Sequence, residues 1–452
     1  VVNWLLWGVY DLIDRNWTRL FTQNVSAAMR TEYWLQRFVF WGGAVVTGAA
    51  AVAFARGSDM AFSFFHATSR QYWLYPWLAP PIGFALVTWL TARYFPGSQG
   101  SGIPQAIAAL GLPEPRLRDR LLSIRIAAGK LSLTLVGLSS GASIGREGPT
   151  VQIGASIMHS LGRLVRFPAA DIDRGLILAG GAAGVAAAFN TPLAGIVFAI
   201  EELSRSFEAR TSGTILTTVI IAGVTSLALV GNYTYFGSTE SSLTSPTMWL
   251  AVPICGVIGG VAGGTFARCM LSLRKALPPR FQGWIAGAPV RFAVVCGIAV
   301  AVLGWASDGA TFGTGYAQAR ALIQQEVMPG NWFALEKGLA TLASYFAGIP
   351  AGIFAPSLAV GAGLGGTVSL YLPFAPVGAV VVLTMAAYFS GVVQAPLTAL
   401  VIVGEMTDSH QLTLPLMAAA LIGRGSSALI CGESLYRSLS RSFLPDVAPK
   451  ND

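Results

Sequence analysis

Apolar residues dominate this chain in long runs, around positions 38–55, 80–92, 126–144, 175–200, 214–230, 248–267, 291–305, 339–368, 376–403 and 412–431. Short polar or Gly/Pro-containing breaks separate them. A helix that crosses the hydrocarbon core of a bilayer needs roughly 20 apolar residues, and several of these runs are shorter or interrupted. The pattern predicts an all-α polytopic membrane protein in which many helices are tilted or only half-length. A membrane β-barrel would need ~10-residue segments of alternating hydrophobicity, and none is present.

Composition agrees. Hydrophobic residues make up 54% of the 452, charged residues only 11%, and there are 52 glycines. Soluble domains carry about a quarter of their residues as charges, so a large soluble all-α protein is excluded. The formal charge of +8 matters through its placement. Arg15, Arg19, Arg30 and Arg37 precede the first long run, Arg437, Arg441 and Lys450 follow the last, and Arg116, Arg118, Arg120 and Arg125 cluster in a loop. Positive residues beside spans favour the cytoplasm, so both termini and the 113–125 loop are expected inside a plasma (inner) membrane. These arginines read as orientation signals. No exposed basic domain with interleaved aromatics exists, which argues against nucleic acid as a partner. Cys255, Cys269, Cys296 and Cys431 lie in or beside apolar runs, without metal spacing, and His66, His159 and His410 are scattered. Neither a disulfide frame nor a metal centre is expected, and no secretory signal is visible at the start.

The breaks divide the chain. Residues 1–36 hold Trp4-Leu-Leu-Trp7 followed by Asp11, Asp14 and Arg15, an amphipathic helix expected at the cytoplasmic interface. A first membrane unit is expected over 37–230, a polar linker over 231–247, a second unit over 248–436 and a short cytoplasmic tail over 437–452. No regulatory domain is expected in that tail. The two units repeat one another. Gly145-Arg-Glu-Gly-Pro-Thr-Val-Gln-Ile-Gly-Ala155 returns as Gly352-Ile-Phe-Ala-Pro-Ser-Leu-Ala-Val-Gly-Ala362. About forty residues after each copy, Asn190-Thr-Pro-Leu193 is matched by Gln394-Ala-Pro-Leu397. A carboxylate follows each of these prolines at the same distance, Glu201 and Glu405. Elements repeated in order and spacing describe two related halves. With both termini inside, the total number of crossings is even. Two halves of odd count would then be inverted relative to each other, a common transporter construction; two of even count would be parallel, and the pattern alone leaves both open.

The repeated passage has a chemistry. A small residue followed by proline at the head of an apolar run, as in Gly148-Pro149 and Ala355-Pro356, marks a helix N-terminus. At membrane depth its free N–H groups must line a polar cavity. A cavity ringed by such termini favours anions, through N–H donors and helix dipoles together. Gly100-Ser-Gly-Ile-Pro104 is a third candidate, in which Ser101 either donates to an anion or serves as an ordinary N-cap.

The two halves differ in their carboxylates. Arg146-Glu147 in the first copy stands where the second has Ile353-Phe354. An ionisable group inside a membrane segment is a functional candidate. Ionised, Glu147 would sit on the N–H groups and exclude an anion; protonated, it would release them. Its structural alternative is a cap paired with Arg146. Glu202 is likewise asymmetric, matched by Met406, and reads either as the other end of a proton route or as a solvated charge. Glu201 and Glu405 are repeat-equivalent and read as structural carboxylates that hold helix ends.

Together Gly100-Ser-Gly-Ile-Pro104, Gly145-Arg-Glu-Gly-Pro149 and Gly352-Ile-Phe-Ala-Pro356 resemble the three signature motifs of the CLC chloride channels and transporters. They stand in family order, with Asn190-Thr-Pro-Leu-Ala-Gly195 and Glu201-Glu202 in support, and the resemblance covers about residues 35–440. It implies the CLC fold of two inverted helical repeats, and a homodimer in the lipid bilayer with one anion pathway per subunit. It also implies that the Ser101 hydroxyl, the Tyr436 phenol and the N–H groups of Ile353 and Phe354 hold a central chloride. Arg146, Gly148 and Ala355 would surround an outer position that Glu147 occupies as the external gate. Glu202 matches the inner proton-transfer glutamate of the members that exchange chloride for protons. Channels of the family usually lack that carboxylate, so the exchanger is favoured over a passive voltage- or pH-gated channel. Serine in the first motif favours chloride over nitrate or fluoride. No cofactor is implied, chloride being the substrate, and the short tail fits the prokaryotic type. Relatives often carry glutamates directly after the first motif, where this chain has Gln105 and Ile107. This leaves open what neutralises Lys130.

Two motifs point elsewhere. Gly141-Ala-Ser-Ile-Gly145 fits a nucleophile elbow and raises an intramembrane serine hydrolase as a remote alternative, but the strand–turn–helix setting that motif requires is missing. Gly361-Ala-Gly-Leu-Gly-Gly366 resembles a dinucleotide loop without its strand, and reads as close helix packing.

Overall fold

The computed structural model describes residues 31–165, 170–204, 209–231, 234–239, 241–326 and 329–444. The interfacial helix expected near the N-terminus lies almost wholly outside them, as do residues 445–452 of the tail. The described chain is all helical apart from isolated bridges and turns. The first half contains α1 (Thr31–Gln71), α2 (Tyr75–Tyr94), α3 (Ile103–Gly111), α4 (Pro115–Asp119), α5 (Ile124–Ser139), α6 (Glu147–Val165), α7 (Ala170–Phe189), α8 (Pro192–Phe198) and α9 (Ala209–Val230). The second contains α10 (Ala251–Ala276), α11 (Pro279–Gly287), α12 (Pro289–Ala306), α13 (Tyr316–Ile323), α14 (Phe333–Phe346), α15 (Phe354–Ser369), α16 (Val377–Val393), α17 (Pro396–Thr407) and α18 (Thr413–Ala428), and α19 (Leu435–Ser440) follows.

Among the described residues, six segments are long and apolar enough to cross a membrane, including Trp34–Gln71, Met248–Ala276 and Pro289–Ala306. Val377–Val393 and Pro396–Thr407 are apolar but shorter. The mixture of full and partial spans agrees with the interrupted apolar runs. α12 shows how such a helix, apolar all round, divides its faces between lipid and protein. Val295, Ile298, Val302 and Trp305 recur at helical spacing and are exposed, while Cys296, Gly297, Val300, Ala301 and Gly304 are buried on the other side. A contiguous apolar outer face is unstable in water and suited to lipid. The glycines expected to mediate helix packing do so: a Cβ on Gly361 or Gly365 would lie 2.8 Å from Met385 Cα or 2.6 Å from Val381 Cα, on the neighbouring α16.

The halves share one plan. α1 packs on α7 and α9 as α10 packs on α16 and α18, and the α6–α7 pair is matched by α15–α16. Asn190 and Gln394, at the ends of α7 and α16, both take the left-handed backbone conformation (φ 57° and 58°) before a proline starts the next short helix. Two reciprocal ties place a local two-fold axis between the halves. Gly100 N–H donates to Ile349 O at 3.0 Å, and Gly313 N–H donates to Ala142 O at 3.2 Å. Glu201 accepts from the N–H groups of Leu397 (3.2 Å) and Thr398 (2.6 Å) at the head of α17, and Glu405 accepts from Ala194 N–H (2.8 Å) at the head of α8. Near the axis itself, Gly145 forms an antiparallel bridge with Gly352, its own repeat equivalent, its N–H donating to Gly352 O at 2.6 Å. The heads of α6 and α15 therefore meet across the two-fold. The repeats are inverted.

The arginine loop is more than an orientation signal. Arg118 is buried, donates from Nε to Leu112 O at 2.9 Å and is ion-paired with Asp173. His159 joins the same network through Asp173 (2.7 Å) and Asp119 (3.0 Å).

Candidate functional site where helix N-termini meet

Site geometry begins with the loop that enters α3. Gly100 and Gly102 have φ of +66° and +105°, a left-handed backbone that glycine adopts without penalty. Lys130, fully buried on α5, donates to the carbonyl oxygens of Ser98 (2.9 Å) and Gly100 (2.5 Å). Those carbonyl dipoles are its partners. Gln105 holds the inner side of the loop, accepting from Gly102 N–H at 3.1 Å and donating to Gly97 O and Gln99 O. The result is a fixed platform that carries Ser101. The Ser101 hydroxyl is buried and has no hydrogen-bond partner among the described residues.

Gly148 lies directly opposite. A Cβ there would come within 2.3 Å of Ser101 Oγ, so any side chain would fill the space the hydroxyl faces. Ile353 and Phe354 form the entrance to α15 and are buried. The Phe354 ring is wedged between Phe189 (4.8 Å between centroids) and Phe389 (4.2 Å), which fixes this helix start against the first half. α19 packs on α3 and brings in Tyr436. Its phenol is buried near the Ser101 hydroxyl and, like it, has no hydrogen-bond partner of normal geometry among the described residues. A buried hydroxyl without a partner costs about 1–3 kcal/mol. Two of them beside helix N-termini make a donor set suited to an anion.

Glu147 opens α6 and is buried. Its Oε2 accepts from Ala355 N–H at 3.4 Å, so the carboxylate of one half lies on the helix head of the other. Its Oε1 accepts from the hydroxyl of Tyr316. The Arg146 guanidinium is committed elsewhere, to Ala55 O (2.6 Å), Asp59 (2.7 Å) and the Tyr235 hydroxyl (3.0 Å). Only its Nε comes within 4.0 Å of Glu147. Arg146 thus supplies positive potential and tethers the loop, while Ala355 and Tyr316 make the contacts to the carboxylate.

Glu202 sits in a π-helical turn, Ala199–Ser204, that continues α8. Such turns are rare and recur at functional sites. It is buried, and its Oε1 accepts from Ser434 Oγ at 3.4 Å, two residues before Tyr436. Glu201, its neighbour, turns to α17 as described. One residue of this pair caps a helix and the other enters the interior near the anion-suited hydroxyls. Ser143 of the elbow-like motif bonds to Thr341 Oγ1 at 3.0 Å, and its N–H donates to Ser344 Oγ at 3.1 Å. It is a packing hydroxyl whose partners are other hydroxyls.

Three residues of this neighbourhood are not predicted by the sequence patterns above: Tyr316, Tyr235 and Lys337. A signal for Tyr316 exists in Gly313-Thr-Gly-Tyr316, which repeats the form of Gly100-Ser-Gly-Ile103. The offset between these copies differs from that between the Gly145 and Gly352 passages, which hides the match. Gly313 and Gly315 have φ of +69° and +85°. Lys337 donates to Thr311 O (2.8 Å) and Gly313 O (2.7 Å), as Lys130 does in the first half. Tyr235 belongs to the expected linker, and no local pattern marks it.

Comparisons with known proteins bear on this arrangement. Residues 83–428 match the family model described as voltage gated chloride channel. The H(+)/Cl(-) exchange transporter ClcA of Yersinia pestis is 31% identical over 420 residues, covering 87% of this chain and 85% of that protein. ClcA of Cronobacter sakazakii is 30% identical over 422 residues, covering 87% of each chain. Among solved structures, a slow cyanobacterial Cl-/H+ antiporter superposes with a TM-score of 0.78 at 26% identity, over 92% of this chain and 99% of its own. A eukaryotic CLC transporter shares the fold at 21% identity, with a TM-score of 0.75 over 91% of this chain and 75% of its own.

Proposed function

This chain belongs to the voltage gated chloride channel family, and on that premise we propose that it is a membrane transporter that exchanges chloride for protons. The observation that carries the reading is Glu147: a titratable carboxylate lies on the N-terminus of α15, where an anion would bind. Ionised, it competes with chloride for the same N–H donor and the same helix dipole. Protonated, it loses that attraction and opens the outer position. Chloride then occupies a path lined by Ser101, Tyr436 and the heads of α3, α6 and α15, with Ile353 and Phe354 donating from the backbone. Proton binding and anion passage become alternatives at one carboxylate.

Glu202 delivers protons to that carboxylate from the inner side. It is buried and accepts from Ser434 Oγ, two residues before Tyr436 in the chain. Acidic residues within a membrane protein serve as proton relays of this kind. A passive channel would have no use for a buried carboxylate here, which is why exchange is preferred. The chemistry is binding and release alone, so no covalent catalysis and no cofactor enter it. The protein acts as a homodimer with one pathway per subunit, in a plasma membrane with both termini cytoplasmic.

The test is reconstitution in liposomes under a chloride gradient. Exchange predicts that the gradient drives protons against their own gradient at zero voltage. Chloride flux with no proton movement would identify a channel. Glu202→Gln is expected to abolish proton flux and spare chloride flux. Glu147→Gln is expected to uncouple the two and leave chloride passing alone.

A further inference from the structure

The outer end of the site holds a residue to which the chloride–proton exchange reading assigns no role. Tyr316 is the first residue of α13 and its hydroxyl donates to Glu147 Oε1, while Ala355 N–H holds Oε2. Both oxygens of the carboxylate are therefore engaged, one by the helix head and one by a side chain. The position of Tyr316 is enforced from three sides. Gly315 precedes it with a left-handed backbone, and a Cβ there would lie 2.5 Å from Ala359 Cβ. Lys337 pins the same loop through the carbonyls of Thr311 and Gly313. The ring stacks on Tyr235 at 5.0 Å, contacts Phe236 at 5.4 Å, and has the Arg146 guanidinium 5.6 Å from its centre. A phenol held this firmly is a preorganised donor.

We propose that Tyr316 is the latch of the gate: its hydroxyl holds the Glu147 carboxylate closed over the head of α15 and sets how often the pathway opens. It is a positioning residue, acting on chloride only through Glu147, and the inference rests on the reading of Glu147 as the gate. Opening must break the phenol–carboxylate hydrogen bond as well as the contact to Ala355. Hydrogen bonds to charged groups are the stronger class. Weakening the closed state raises the fraction of molecules open to chloride, and apparent affinity rises by the same factor.

The test is Tyr316→Phe, which keeps the ring and removes the hydroxyl. Chloride binding to the purified protein is expected to tighten roughly ten-fold, with faster chloride turnover in liposomes. The same substitution in a Glu147→Ala background is expected to change neither quantity, because that background has no side-chain acceptor to latch. Tyr235→Leu removes the ring on which Tyr316 stacks. It is expected to shift affinity in the same direction by a smaller factor, and it serves as the second variant should Tyr316→Phe fold poorly. Unchanged affinity in Tyr316→Phe, or an equal shift with and without the Glu147 carboxylate, would overturn the latch. Coupled exchange surviving in Glu147→Gln alone would instead overturn the gate reading, which separates the two failures.

Discussion

The loops that enter α3 and α13 are built to the same design and carry different chemistry. Each has two glycines with positive φ flanking a hydroxyl residue, Gly100-Ser-Gly102 and Gly313-Thr-Gly315. Each is fixed by a fully buried lysine that donates to two loop carbonyls, Lys130 in one half and Lys337 in the other. Each passes its N–H from the first glycine across the two-fold to the opposite half. The first loop presents Ser101, whose hydroxyl has no partner among the described residues; the second presents Tyr316, whose hydroxyl is spent on Glu147. A donor left open is suited to a substrate that comes and goes. A donor given to a carboxylate regulates when that substrate is admitted. The pseudo-symmetry supplies two rigid platforms, and one substituted residue on each assigns the role.

Breaking the platforms should have the largest effect. Lys130→Met and Lys337→Met each take the lysine donor from two buried carbonyls, although Gly100 O keeps the Ala351 N–H, at about 1–3 kcal/mol of stability. Thermal unfolding in detergent checks the loss, and equal losses in the two variants would support the equivalence of the platforms. Beyond stability, Lys130→Met should weaken chloride binding, while Lys337→Met should loosen the gate. Identical transport phenotypes would undo the division of labour.

The reciprocal caps offer a finer test. Glu201→Gln removes the charge at the head of α17 and Glu405→Gln the charge at the head of α8. Each is expected to cost about 1 kcal/mol, with the destabilised helix in the half opposite the substitution. Hydrogen exchange resolved by segment reads this directly, and faster exchange confined to the residue's own half would contradict the inverted pairing. The smallest effect is expected from Ser143→Ala. It removes one hydroxyl bond to Thr341 and should leave transport unchanged, because Ser143 serves packing.

Much of this was legible before the structure. The Gly145 and Gly352 passages announce the repeat, and the proline after a small residue announces helix heads, because backbone geometry there depends on local residue type. Glu201 and Glu405 read as structural through their equivalence, and each accepts from N–H groups at a helix head in the opposite half. The polarity of their pairing was not legible: a carboxylate capping a helix nearly two hundred residues away leaves no trace in spacing. Arg118 shows the converse. In sequence it is one of four loop arginines, and burial against Asp173 singles it out. The partner of Lys130 could not be found by searching for carboxylates, since carbonyl oxygens fill that role and every residue has one.

The sequence by itself determined the solvent of this protein, the two-fold plan and the two carboxylates that break it. Hydrophobic run length, repeated turn chemistry and a mismatch between copies are properties of residues in order. Only the tertiary structure decided which oxygen each donor meets. Glu147 reaches Ala355 and Tyr316 because the heads of α6 and α15 come together beside the loop of α13, and Tyr235 arrives from the segment between α9 and α10 to stack against that assembly. Contacts of that kind depend on where helices cross in space, and the order of residues along one helix carries no record of it.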